Sequence, residues 1–258
     1  MADFPDWCDQ AVENVGPHAL HVITARAEDA AQGSAAVAGI VPGHYAAEEQ
    51  AARILRRLGR PATAAFIEGK LPTTKAIRSG DLGEILATEF IADLTPYSVP
   101  IKRLRWKDHR NMAMRGDDVI GLIRDNATGR LRFLKAEAKS RAALPAVVVA
   151  EARSGLDKDS GLPSPHALQF ISARLMEEGE DELADAIDDA LLKHGILPQS
   201  VKHLLFTFSG NDPANHLRTS LQTYTGGIAQ QCVGVRVAAH GVFVAEVYDQ
   251  VIANANDD

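Results

Sequence analysis

The stretch GDDVIGLIRDNATGRLRFLKAEAKS, Gly116 to Ser140, decides the reading of this chain. Its apolar run at 119–123 is a strand, Asp125-Asn126-Ala127-Thr128-Gly129 is turn material, and 131–138 is a second strand. So short a connection makes the two an antiparallel hairpin. Side chains two apart on a strand share a face, so Glu137 and Lys139 project together while Ala136 and Ala138 point away. The start of the first strand lies beside the end of the second. Asp118 is therefore expected opposite Glu137 and Lys139 at one end of the sheet.

Two carboxylates and a lysine converging in this way have a definite chemical use. Asp118 and Glu137, helped by a backbone carbonyl, suit one or two Mg²⁺ ions, which prefer oxygen ligands and retain waters; Mn²⁺ is equally compatible. Such an ion polarises a phosphate and activates water, and Lys139 would orient or help deprotonate that water and balance phosphate charge. The expected activity is a metal-dependent phosphodiesterase, that is, a nuclease. Asp117 is an alternative ligand, with Asp118 preferred because Gly116-x-Asp118 leads straight into the apolar strand. An isolated ExK on a strand is commonly an exposed pair of opposite charges, so the conjunction of motifs carries the reading.

Outward from the hairpin, 79–94 is an amphipathic helix with Leu82, Ile85, Leu86, Phe90 and Leu94 on one side. Within it Asp81-x-x-Glu84 fits an N-cap with a capping-box glutamate. The segment at 98–106 suggests a strand led in by Pro100. A Pro/Gly/Ser loop around 154–165 precedes a helix at 166–179 and a strongly acidic helix. Residues 201–210 form a buried-looking strand, and 231–249 read as two more strands around His240-Gly241. The fold class is α/β, a mixed sheet flanked by helices, in a domain spanning 76–258. Residues 1–75 read as an accessory region of short helices broken by Gly and Pro. One of these, at 46–58, carries Ala51, Ile54, Leu55 and Leu58 on one side and Arg53, Arg56 and Arg57 on the other, ending at Gly59 and Pro61.

The 258 residues carry a formal charge of −7, which argues against a protein that coats nucleic acid through its overall field. The charge is segregated, however. Lys102, Arg103, Arg105, Lys107, Arg110 and Arg115 form a basic strip near the expected site, with Trp106 among them as a possible base-stacking residue or a core tryptophan. Gln169, Ser172 and Arg174 on the following helix could face a phosphate backbone or simply solvent. Glu177 to Asp189 concentrate the acids. Two distant cysteines, no basic leader before an apolar run and no membrane-length apolar stretch point to a cytoplasmic protein without disulfides or membrane contact. No Walker A, GxGxxG, HExxH or GxSxG motif occurs.

The runs GDLGEILATEFI, RGDDVIGLI and LKAEAKSR together resemble the PD-(D/E)xK nuclease superfamily, and more narrowly the HamA family of Hachiman anti-phage defence systems. The likeness covers about 79 to the C-terminus, with Gly-Asp-Asp where the superfamily name has Pro-Asp. It implies a restriction-endonuclease-like core, Asp118 and Glu137 as metal ligands, Lys139 as catalytic lysine and Glu84 as the helix glutamate that completes such sites. It further implies a DNase effector controlled by a HamB-type helicase. The alternative is a catalytically silent adaptor that keeps the fold and binds the helicase or DNA.

Overall fold

The computed structural model describes residues 1–257. A short helix α1 (Phe4–Trp7) leads into a hairpin of β1 (Cys8–Val15) and β2 (His18–Ala25). Three helices follow, α2 (Ala30–Tyr45), α3 (Glu48–Leu58) and α4 (Arg60–Lys70), then the long α5 (Lys75–Leu94). After an irregular crossing come β3 (Val119–Arg124) and β4 (Leu131–Arg141), then α6 (Ala146–Leu156), α7 (Pro165–Glu178) and α8 (Asp181–Asp188). The chain ends with β5 (Val201–Ser209), α9 (Ala214–Gln222), β6 (Ala229–Arg236) and α10 (His240–Asp257).

The strands form one six-stranded sheet in the order β1-β2-β6-β5-β4-β3. β2, β6, β5 and β4 run parallel, and the antiparallel partners β1 and β3 close the two edges. Inner strands buried on both faces need near-continuous apolar runs, and Leu204, Leu205, Phe206 and Phe208 of β5 supply one. One face packs on α2, α5 and α10 through Leu86, Phe90, Phe206, Phe208, Val235, Phe243 and Val247. The other face divides between α7 and α8, over Ile120 and Phe133, and α6 with α9, over Leu205 and Cys232. The mixed α/β sheet flanked by helices agrees with the sequence reading, as do the 119–124 and 131–141 hairpin and the helix across 79–94.

Three local expectations are corrected. Residues 8–25 are not helical: their hairpin extends the same sheet, because alternating short runs such as His18-Ala19-Leu20-His21-Val22-Ile23 carry strand rather than helix periodicity. The segment at 98–106 is not a strand. Only Ser98 makes a bridge, to Leu122, and Arg103–Trp106 turns into a short 3-10 helix. The second C-terminal strand is instead α10. Its Val244, Val247, Tyr248 and Val251 are buried at spacings of three and four, a helical period that outweighs the strand preference of valine. Cys8 and Cys232 are both buried and unpaired, their thiols pushed up to about 12 chiefly by burial. No described helix is long and apolar enough to cross a membrane.

α2 runs for 16 residues through glycines and Pro42, because it is packed rather than because its sequence favours helix. Gly33 lies flat against the indole of the fully buried Trp7, where any Cβ would overlap the ring. Gly33→Ala is expected to destabilise the fold by about 1–3 kcal/mol through overpacking, read as a lower urea midpoint. An unchanged midpoint would show that this packing is loose.

Candidate functional site

The hairpin register pairs Val119 with Ala136, so Asp118 stands across from Glu137 one step further along. The expected juxtaposition is present. Asp118 Oδ2 accepts the Ala138 amide at 2.9 Å, which fixes its carboxylate to the neighbouring strand. Lys139 Nζ donates to Glu137 Oε1 at 2.5 Å. Burial, and next the Asp118 charge, hold the Glu137 carboxyl above its ordinary value, against the pull of Lys139. Like charges this close are what a cation relieves.

β4 is approached closely on both faces. Gly83 of α5 sits where a Cβ would lie 3.0 Å from Ser140 Cβ, and Gly155 of α6 where one would lie 2.7 Å from Glu137 Cδ. Gly155 thus lets a helix pass directly over the carboxylate. The sequence reading places Gly155 in the loop at 154–165, whereas it is the second-last residue of α6, where glycine costs about 1 kcal/mol relative to alanine unless close packing requires it.

Glu84 is placed beside the pair, but not as a capping residue. α5 begins at Lys75, so Asp81 and Glu84 are interior. Glu84 is engaged by Arg103 through two bonds, Nε to Oε1 at 2.6 Å and Nη2 to Oε2 at 2.9 Å. The same guanidinium reaches Asp118 Oδ1 at 3.1 Å and the Asp117 carbonyl at 2.7 Å. Burial pushes the Glu84 carboxyl up to about 7, in opposition to Arg103. Burial likewise works against the Arg103 charge, yet the facing carboxylates raise its pKa above the ordinary value. Asp117 is spent elsewhere: it accepts the Ser164 amide at 2.7 Å and lies 3.5 Å from the buried Lys135 ammonium.

The basic strip is correspondingly not an exposed patch. Lys102 pairs with Glu89 at 3.4 Å, Arg103 with Glu84, and Lys107 with Asp81 at 2.7 Å, so three acids of α5 are met in antiparallel order by the crossing segment. Arg105 donates to the Gly43 carbonyl and lies 3.8 Å from Glu178. Trp106 packs edge-on against Phe170, with the Arg174 guanidinium over both rings. Ser172 is buried, Gln169 exposed and Arg174 half-buried beneath an ion pair to Glu177. Among the residues of the strip only Arg115, next to Asp117, has neither an ion pair nor a side-chain hydrogen-bonding partner among the described residues while being exposed.

A cavity of about 470 Å³ opens beside Asp118, between Glu84, Arg103, Met114, His166 and Phe170. The donor set fits a hydrated hard cation: Mg²⁺ is commonly held by one or two carboxylates and completes its shell with water. Asp118 and Glu137 provide two. Among the described residues no group of three or more His, Cys, Asp or Glu converges, so Glu84, held by Arg103, adds no third ligand.

Because Arg103 neutralises a buried acid, removing one partner strands a charge. Arg103→Met is expected to cost about 3–5 kcal/mol, and the double change Arg103→Met with Glu84→Leu to restore most of it, both read by chemical denaturation. A loss below about 1 kcal/mol for the single variant would show the pair to be solvated in effect.

The HamA family model matches residues 2–251. The Hachiman protein HamA of Bacillus cereus is 27% identical over 183 residues, covering 71% of this chain and 64% of that protein. The chain thus spans less than two thirds of its relative's length. The family match, by contrast, includes the N-terminal hairpin, all six strands and every residue of the Asp118–Glu137–Lys139 set, and this chain belongs to the HamA family.

Proposed function

We propose that this protein is a metal-dependent DNA nuclease of restriction-endonuclease-like core, the effector of a Hachiman-type anti-phage defence system. The observation that carries the reading is the facing of Asp118 and Glu137 across the β3–β4 pair with Lys139 bound to Glu137. Asp118 and Glu137 would hold Mg²⁺ or Mn²⁺. That ion would supply Lewis-acid polarisation of the phosphate and a water of lowered pKa.

The rest of the chemistry belongs to the chain. The Ala138 amide and Arg103 hold Asp118 in one orientation, and such preorganisation costs nothing at the moment of reaction. Lys139, two residues from Glu137 on the same face, offers an ammonium to a non-bridging phosphate oxygen or to the attacking water. Gly155 leaves the Glu137 carboxylate room that any side chain would take. A HamB-type helicase is the proposed partner. An acidic chain whose basic strip, Arg115 apart, is engaged in internal contacts gains from a partner that brings DNA to it.

A second reading, a silent adaptor for helicase or DNA, has one observation in its favour: Arg103 already supplies a positive charge to Glu84 and Asp118. The two readings separate in one experiment. Plasmid DNA with protein, helicase partner and Mg²⁺ or Mn²⁺ is expected to be cut, and EDTA to stop it. Asp118→Asn, Glu137→Gln and Lys139→Ala are each expected to slow cutting by about a hundredfold or more. The two carboxylate variants should also weaken Mn²⁺ binding in calorimetry. Parent-like cutting by these variants would overturn the site, and no cutting under any condition would favour the adaptor.

The pH dependence follows in sign. A ligand carboxylate binds metal only when ionised, and Glu137 is held above the usual 4.5 by burial and Asp118. Mn²⁺ affinity should therefore rise with pH through a range above that of an ordinary glutamate. Affinity already flat at and above pH 4.5 would contradict the assignment of Glu137 as ligand.

A further inference from the structure

α3 stands apart from the other helices in charge and in packing. None of its residues is buried. Ala51, Ile54, Leu55 and Leu58 lie on one side at helical spacing, and α3 packs against α4. Arg53, Arg56 and Arg57 lie on the opposite side, and Arg60, the first residue of α4, follows just after the break at Gly59. All four arginines are exposed, and none makes an ion pair or a side-chain hydrogen bond among the described residues. Glu49, one turn before Arg53 on the same side, pairs with none of them.

This is unusual within the molecule. Lys102, Arg103, Arg105 and Lys107 are all met by carboxylates, whereas the three arginines of α3, with Arg60 at the start of α4, are left open to solvent in a chain of net charge −7. The hairpin of α3 and α4 is also joined to the site-bearing segment. The Thr73 amide just after α4 donates to Asn111 Oδ1 at 2.8 Å, Asn111 Nδ2 returns a bond to Thr73 Oγ1 at 2.8 Å, and Arg110 reaches the Glu68 carbonyl at 3.5 Å.

From this we infer that Arg53, Arg56, Arg57 and Arg60 form a contact surface for the phosphate backbone of DNA, separate from the metal-binding carboxylates. The inference rests on the nuclease reading for the identity of the polyanion. Guanidinium groups bind phosphate by paired N–H bonds, and an outward face with arginines and no apolar anchor suits a sequence-independent backbone contact. On the apolar side of α3, Ala51 and Ile54 are partly buried, whereas Leu55 and Leu58 are exposed.

The test is fluorescence anisotropy of a labelled oligonucleotide, single-stranded in one arm and duplex in the other. It is run in EDTA, so that nothing is cut, and titrated between about 50 and 200 mM salt. The full chain is compared with the triple variant Arg53→Gln, Arg56→Gln, Arg57→Gln, checked for folding by circular dichroism. The triple variant should flatten the slope of log K against log salt by about 2–3, roughly one for each phosphate that is no longer neutralised. The corresponding triple lysine variant should retain most of the slope. Equal slope and affinity in parent and glutamine variant would overturn the inference, as would a parent that shows no salt-dependent binding. So would a parent dimer, seen by light scattering, that the glutamine changes dissociate while DNA binding persists; the arginines would then meet the acidic α8 of a second copy. Arg124→Gln, a change at an exposed arginine at the far end of β3 from Asp118, should bind as the parent does. Failure of catalysis with binding intact would thus fall on the nuclease reading and leave this surface standing.

Discussion

Three ion pairs between α5 and the crossing that follows it, two of them largely buried, are the constraint on which the site depends. Residues 95–118 have almost no regular hydrogen bonding of their own, yet they must deliver Asp118 to one place on the edge of the sheet. They are pinned instead by charge. Glu89, Glu84 and Asp81 descend one side of α5 and meet Lys102, Arg103 and Lys107 in turn. Burying either charge of such a pair alone is prohibitive, so the paired geometry is strongly specified even where its net stabilisation is small. The network extends inward, because Asp81 also accepts from Tyr45 at 2.7 Å, and Tyr45 bonds Tyr248 of α10 at 2.9 Å. Helices from both ends of the chain are thereby tied to the segment that ends at Asp118.

The second constraint is steric and acts on β4. This strand is flanked by β3 and β5 in the sheet and overlain by α5 and α6, and at the level of the site both helices approach through a glycine. Ser140, facing α5, is bonded to Ser79 and His240, while Glu137 faces α6 at Gly155. Lys135, on the same side as Glu137, is buried and donates to the carbonyls of Lys158 and Leu162. It closes the loop after α6 over the sheet. Of the three alternating charged residues Lys135, Glu137 and Lys139, the first is thus structural and the last two remain accessible at the sheet end.

Charge is divided along the chain in a way that bears on function. Near the carboxylates, positive side chains are engaged in internal pairs, Arg103 with Glu84 and Asp118 and Lys139 with Glu137. On α3 they are left facing water. A HamA-family chain built in this way separates the groups that would carry out phosphodiester chemistry from those that would hold a polyanion. The carboxylates and the arginines can then each be arranged without compromising the other.

The β3–β4 hairpin and the convergence of Asp118, Glu137 and Lys139 were readable from residues 116–140 alone. They depend only on strand alternation and a short turn, both local. The amphipathic α5 and the apolar β5 were readable for the same reason. The hairpin at 8–25, the helical state of 240–257 and the loss of strand at 98–106 were not, because each is decided by partners far away in sequence: β6 beside β2, the sheet face beneath α10, and the acids of α5 opposite the basic run. Glu84 shows the difference most clearly. Its sequence neighbours suggest a helix cap, whereas in the fold it is an interior residue holding Arg103, 19 positions on. The sequence by itself determined which acids and which lysine meet at the end of the β3–β4 hairpin. Only the tertiary structure decided which charges were already taken, because pairing in a buried site depends on distance in space and not along the chain.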